Sequence, residues 1–162
     1  MPRRTSPARL AEFKVHLDFV PTFHKFLKRL HPDLAEGMAY LDGMVAMGQR
    51  MHAEGVIPSE MMTGWKEATA GLLEMTRDFH QEVVDAADKF LVSEKASSLT
   101  EMRGRVWRVV PKVLARGRIR NMDEFYVIRN VLDDDGDDLS DEERARLEEM
   151  RGEFETGYRD RR

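Results

Sequence analysis

The chain has 162 residues, of which 41% are hydrophobic and 35% are charged, and it contains no cysteine. The absence of cysteine excludes disulfide frameworks and thiolate chemistry, and a chain of this length can bury an apolar core without them. The net charge of −4 conceals alternating blocks, which carry +5 over residues 1–32, −7 over 33–98, +5 over 99–132 and −7 over 133–162.

The first predicted helix begins after Ser6, a residue suited to capping a helix, with Pro7 in its first turn. Apolar residues then recur every three or four positions as far as Leu30, which is the spacing of a buried helix face. Pro21 has no amide hydrogen and its ring crowds the preceding turn, so we expect the helix to kink or split there.

The second predicted helix runs from Asp33 to about Gly55. Its glycines lower the intrinsic helix propensity by about 1 kcal/mol each relative to alanine, so tertiary contacts must hold the helix. We expect close approach of a neighbouring helix to be the compensation. The glycines are Gly37, Gly43 and Gly48, and the predicted core face comprises Leu34, Met38, Leu41, Val45 and Gly48.

Methionines concentrate around the second helix and the turn after it. Methionine fills irregular gaps in cores and also builds adaptable binding surfaces. Core packing is the favoured interpretation, and an exposed apolar patch is the alternative for part of the cluster, because Met44 and Met47 spread around the helix. The members are Met38, Met44, Met47, Met51, Met61 and Met62.

A heptad pattern predicts one long third helix over residues 59–95. Such a helix would be about 55 Å long at about 1.5 Å per residue, longer than either preceding helix could cover. It would therefore overhang the bundle or be covered by a second copy of the chain, although two threonines argue against a fully dry coiled-coil core. The seam residues are Met62, Trp65, Thr69, Leu72, Thr76, Phe79, Val83, Ala86 and Phe90.

Three shorter helices are predicted after a break at residues 96–98. They cover about 99–116, 122–133 and 141–157, with Gly117 placed where a left-handed helix end would lie. Each begins with a short polar capping residue followed three positions later by a glutamate, as does the second helix, and the serine pairs fit a reciprocal cap. The pairs are Asp33 with Glu36, Ser98 with Glu101, Asn121 with Glu124 and Ser140 with Glu143. We therefore predict an all-α fold: an antiparallel helical bundle with one long heptad-patterned helix, plus a smaller C-terminal three-helix unit. The two units, 6–95 and 98–157, either remain separate or pack as one domain.

Metal and catalytic motifs are scarce. Among the five histidines, only His24 and His31 would share a helix face, and the sequence contains neither a Glu-x-x-His pair nor a His-Glu-x-x-His motif. The acidic run 133–138 resembles a calcium loop, but Val131 would occupy the first ligand position, so an acidic interhelix loop is the preferred interpretation. There is no Gly-x-Ser-x-Gly elbow and no phosphate-binding glycine loop. We expect no metal, no cofactor and no enzymatic activity, with an enzyme built around His24, His31 or His80 as the remaining alternative.

A run of basic residues without any acidic one occupies residues 103–120. Such a stripe can bind the phosphate groups of a nucleic acid, and an aromatic side chain within it can stack on the bases. The favoured interpretation is that it pairs with the acidic helix 59–95 or the acidic tail 133–155 of the same chain, as the alternating charge blocks suggest. The members singled out are Arg105, Arg108, Lys112, Arg116 and Trp107.

The leading functional hypothesis is a non-enzymatic protein-binding or regulatory module of the adaptor, inhibitor or immunity type. It would act through helix faces and could form a homodimer along the heptad seam, with apolar surface exposed at Met61, Trp65, Leu72 and Phe79. The alternative is a nucleic-acid-binding regulator that uses the basic segment. No apolar stretch reaches the length of a membrane span and no secretory signal is recognisable, so we expect a cytoplasmic protein without a membrane partner.

Overall fold

The computed structural model describes residues 4–33, 39–133 and 139–159. These residues contain α-helices and no β-strand, which confirms the all-α class and agrees with a bundle of helices. No helix within the described ranges is long and apolar enough to cross a membrane. The chain divides into two compact units, Met1–Met102 (unit 1) and Arg103–Arg162 (unit 2). The helices are α1 (Pro7–Leu30), α2 (Ala39–Glu54), α3 (Ser59–Met75), α4 (Gln81–Ser93), α5 (Leu99–Trp107), α6 (Val109–Arg116), α7 (Met122–Leu132) and α8 (Asp141–Arg159).

Helix α1 is the centre of unit 1, because α2, α3 and α4 each pack against it. It begins as predicted, with the Ser6 side chain accepting a hydrogen bond from the amide of Arg9. The helix continues through Pro21, so the expected split is wrong. Packing against three other helices keeps the two halves of α1, before and after Pro21, in one continuous helix. Its buried residues are Phe13, Leu17, Phe19, Val20, Phe23, Phe26 and Leu27.

The predicted long helix over residues 59–95 is wrong, because α3 ends at Met75 and α4 begins only at Gln81. At the break, both the amide and the hydroxyl of Thr76 donate to the carbonyl of Leu73, at 3.1 and 2.7 Å. A threonine side chain that bonds to the local backbone competes with the helical pattern. The heptad spacing persists across the break because two separate helices both pack on α1.

Helix α2 packs closely against its neighbours at one of its glycines. A Cβ atom at Gly48 would lie 2.8 Å from Cδ1 of Leu17 and 3.3 Å from Cζ2 of Trp65, whereas Gly43 has no such neighbour within 4 Å. The expected close approach therefore occurs at Gly48 and not at Gly43. Gly37, Leu34 and Met38 lie outside the described residues.

In unit 2, α6, α7 and α8 pack against one another around a common apolar core. Helix α6 ends at Gly117, which adopts the predicted left-handed conformation with φ +76°. Asn121 caps α7, and Ser140 and Glu143 form the predicted reciprocal cap of α8. The cap predicted for Asp33 involves Glu36, which lies outside the described residues.

The single helix predicted over 99–116 is divided at Arg108 into α5 and α6. Pro111 accounts for the division, because it has no amide hydrogen to donate to the carbonyl of Trp107 and its ring crowds that carbonyl. The buried core of unit 2 comprises Val110, Val113, Leu114, Ile119, Phe125, Ile128, Val131, Leu132, Leu147 and Met150.

Candidate functional site

One side of α2 carries apolar side chains that the chain itself leaves partly uncovered. Tyr40, Met44, Met47 and Met51 recur at steps of four, three and four, which places them on one face of the helix. Tyr40 is 67% exposed and Met47 is 39% exposed, while Met44 and Met51 are half-buried. We call these four residues the α2 stripe.

The α2 stripe is distinct from the side of α2 that faces the core. Leu41 and Gly48 are buried, and Gly48 contacts side chains of α1 and α3. At about 100° per residue, these two positions lie about a quarter turn around the helix from Tyr40. Helix α2 therefore presents two apolar faces, one against the core and one toward solvent. Single exposed apolar residues are common, but several on one helix face form a patch.

The sequence predicts this surface only in part, because the expected apolar patch rests on Met44 and Met47, which spread around the helix, and does not include Tyr40. The steps of four, three and four from Tyr40 to Met51 were the signal that could have identified the stripe.

Two of the four predicted partner-binding residues, Trp65 and Leu72, are buried in the core of unit 1. Trp65 is 1% exposed and Leu72 is 5% exposed, so the expectation that they are exposed in a monomer is wrong. The reason is that α1 packs on α3, and the ring of Phe13 meets that of Trp65 edge-on with centroids 6.1 Å apart. Met61 and Phe79 are half-buried.

The predicted basic residues fall into two groups. Arg105, Arg108 and Lys112 are exposed, whereas Arg116 is half-buried and forms an ion pair with Glu124 of α7. Neither Arg108 nor Lys112 has an ion-pair partner within the described residues of unit 2. The side chain of Trp107 lies outside the described part of the chain.

The ion pair between Arg116 and Glu124 fixes the turn between α6 and α7. Oε2 of Glu124 accepts from Nη2 of Arg116 and from the amide of Arg120 at 2.8 Å, while the guanidinium of Arg116 also donates to the carbonyl of Arg118. Asn121 caps the same helix start. The sequence predicts the Asn121 cap but not the pairing of Arg116, because a contact between residues eight positions apart leaves no periodic signal.

The histidines do not assemble a metal site in the described residues, where no group of three ligand-type side chains could hold an ion. Nδ1 of His16 lies 2.8 Å from Oγ1 of Thr69, whose hydroxyl donates to the carbonyl of Trp65, so Nδ1 is the donor of that contact. Burial, followed by the positive charge of Lys28, lowers the pKa of His24 below its ordinary value.

The acidic run that resembles a calcium loop lies mostly outside the described residues. Its first member, Asp133, is described and contacts Nη1 of Arg151 at 3.6 Å. This contact joins the end of α7 to α8.

Comparisons of the chain with protein-family models, with curated proteins and with solved structures found no match.

Proposed function

We propose that the protein is a non-enzymatic protein-binding module whose α2 stripe binds an amphipathic helix of a partner protein. The observation that supports this proposal is the exposure of Tyr40 and Met47 on one face of α2. Helices that bind to such surfaces contribute apolar residues at steps of three and four, which the spacing of the α2 stripe can match.

The composition of the α2 stripe suits a partner that adapts on binding. Methionine side chains have three rotatable bonds and a polarizable sulfur, so Met44, Met47 and Met51 can repack around another surface. Tyr40 adds a large ring with few rotatable bonds, of the kind that often contributes much of the affinity of an interface.

The backbone beside the α2 stripe is also uncovered. Apart from the two chain neighbours of Gly43 and the backbone of its own helix, no described atom lies within 4 Å of the position that a Cβ atom at Gly43 would occupy. A glycine in this position allows a partner side chain to approach the helix backbone closely, as small residues do at other helix interfaces. Because Gly48 holds another side of α2 tightly against Leu17 and Trp65, the surface is presented on a fixed helix.

Site-specific photo-crosslinking tests the proposal because it can capture a partner of any identity. A photoreactive phenylalanine analogue would replace Tyr40 or Met47 in cells, and Ala53 would carry the same analogue as the control. Ala53 is exposed and lies on the opposite side of the same helix. We expect one defined partner to be captured at Tyr40 and Met47 but not at Ala53.

Two results would contradict the proposal. Capture of the same proteins from all three positions would show that α2 has no selective face. A covalent dimer of this chain, formed from Tyr40 and Met47 alone, would identify the stripe as a homodimer contact rather than a surface for a different protein.

A further inference from the structure

A positively charged surface lies on α6 and on the turn that follows it. Residues 103–122 contain seven basic residues and no acidic one. Four of the basic side chains are exposed and have no ion-pair partner among the described residues. We call these four, Arg108, Lys112, Arg118 and Arg120, the α6 basic surface.

Helix α6 separates its apolar and basic sides cleanly. Val110, Val113 and Leu114 are buried in the core of unit 2, while Arg108 and Lys112 lie on the exposed side of the helix. Arg108 is the N-cap residue of α6 and has helical backbone angles, φ −66° and ψ −19°. Residues four apart in helical backbone are neighbours, with Cβ atoms about 5–6 Å apart, so the charges of Arg108 and Lys112 are adjacent.

The turn after α6 extends the positive charge. Arg118 and Arg120 are both exposed, and Ile119 between them is buried, which anchors the turn to the core. The carboxylate of Glu124 is occupied by the guanidinium of Arg116 and by the backbone amide of Arg120. Glu124 therefore does not pair with any of the four exposed side chains.

The chemistry of the surface fits a phosphate backbone better than a protein. Protein interfaces usually have an apolar centre, but no described side chain in residues 103–122 is a large exposed hydrophobic one. Three of the four side chains are arginines, whose planar guanidinium groups match phosphate oxygens in pairs.

The described carboxylates of α8 form no ion pair with the α6 basic surface. Helix α8 contacts α6 through Arg146, whose Nη2 donates to the carbonyl of Leu114 at 2.9 Å. The four side chains of the α6 basic surface therefore keep their charges uncompensated within the part of unit 2 that the structure describes.

We infer that the α6 basic surface binds the phosphate backbone of duplex nucleic acid without regard to sequence. The inference goes beyond the protein-binding role of α2 and does not depend on it. Because four positive side chains carry the contact, the logarithm of the binding constant should fall with the logarithm of salt concentration with a slope of about −3.6.

The binding constant and its salt dependence can be measured by fluorescence anisotropy, with a labelled 20-base-pair duplex of arbitrary sequence titrated with the full chain. From about 50 to 200 mM KCl, a slope of this size weakens binding on the order of 100-fold. The double variant Arg108→Gln/Lys112→Gln should bind roughly tenfold more weakly at intermediate salt and should reduce the salt slope by about 2. The variant Arg118→Gln/Arg120→Gln tests the same surface if the first variant fails to fold.

The matched control is Arg50→Gln/Lys89→Gln, which removes the same charge from positions on α2 and α4. We expect the control to retain the affinity and the salt slope of the wild type. The inference is overturned if the wild type does not bind at low salt, or if the control weakens binding as much as the α6 variants do.

Two further measurements separate nucleic acid from an acidic protein surface. Polyglutamate at equal charge concentration should not displace the duplex, because an extended chain carries one charge per about 3.5 Å and duplex DNA carries one per about 1.7 Å. Equal displacement would overturn the inference. Light scattering at low salt should show no self-association that depends on the α6 basic surface. Self-association that the α6 variants abolish would identify a second copy of the chain as the ligand of this surface.

Discussion

Cδ1 of Leu17 lies 2.8 Å from the position that a Cβ atom would occupy at Gly48. Cζ2 of Trp65 lies 3.3 Å from the same position, so side chains of α1 and α3 both close on the backbone of α2. Real Cβ atoms essentially never show a contact as short as the first one. A methyl group at this position therefore forces the side chain of Leu17 to shift, so the packing favours glycine here even though glycine weakens an isolated helix.

Alanine substitutions at the two glycines of α2 should have opposite effects. Gly43→Ala should raise the free energy of unfolding by about 0.5–1 kcal/mol, because the site is open and alanine favours the helix. Gly48→Ala should lower it by about 1–2 kcal/mol, since Leu17 and Trp65 must move to accept the methyl group. Denaturant unfolding measures both, and equal stabilisation would show that α2 does not pack closely at Gly48.

The carboxylate of Glu124 should stabilise unit 2. Glu124→Ala removes the acceptor for Arg116 and for the amide of Arg120, so we expect a loss of about 1–2 kcal/mol in the free energy of unfolding. Glu148→Ala is the control, because this exposed glutamate of α8 should change stability by less than about 0.5 kcal/mol. Equal effects of the two substitutions would rule out the bridged turn as a source of stability.

The buried hydroxyl of Thr69 should contribute more to the free energy of unfolding than an exposed hydroxyl with similar local geometry. Thr69→Val removes the acceptor for Nδ1 of His16, so we expect the free energy of unfolding to fall by about 1–2 kcal/mol. Thr156 is a matched control, because its hydroxyl also donates to the carbonyl four residues earlier but lies at the surface. Thermal or denaturant unfolding compares the two valine variants, and an equally small effect of both would argue against the His16 contact.

His24 should make the stability of unit 1 depend on pH. Its pKa in the folded chain is lowered, first by burial and then by Lys28, from an ordinary value of 6.5. As pH falls below that value, the unfolded chain binds a proton before the folded chain does, so the free energy of unfolding falls. The stabilising contribution is complete above the ordinary pKa and is lost as pH falls through the lowered one.

Substitution of this histidine isolates its contribution. Denaturant unfolding of the wild type and of His24→Gln, measured between about pH 7.5 and 5.5, should show a shallower decline for the variant. Identical declines would show that the ring is not held in its neutral form by the fold.

The helical class and the four helix ends that carry capping residues were predictable because their signals are local. Ser6, Asn121, Ser140 and Gly117 mark helix ends through their own side chains or backbone, and the structure places each one as expected. The division between α3 and α4 was not predictable from periodicity, because the apolar spacing continues across Thr76. The interruption is marked by short-range hydrogen bonds, from the hydroxyl and amide of Thr76 to Leu73, from the amide of Arg77 to Glu74 and from the amide of Phe79 to Thr76.

The candidate surfaces were harder to predict because exposure depends on which helices meet. Trp65 and Leu72 follow the same periodic rule as an exposed seam, and only the packing of α1 determines that they are buried. Tyr40 and Met47 resemble ordinary members of an apolar helix until the position of Gly48 shows which side of α2 faces the core.

The affinity of the protein for the partner captured at the α2 stripe tests the central proposal most directly. Isothermal titration would compare the wild type with Tyr40→Ser/Met47→Gln, and with Ala46→Gln/Ala53→Gln on the exposed opposite side of α2 as the matched control. We predict that the stripe variant binds at least about tenfold more weakly, equivalent to about 1.4 kcal/mol, while the control binds like the wild type. Unchanged affinity of a folded stripe variant would contradict the proposal.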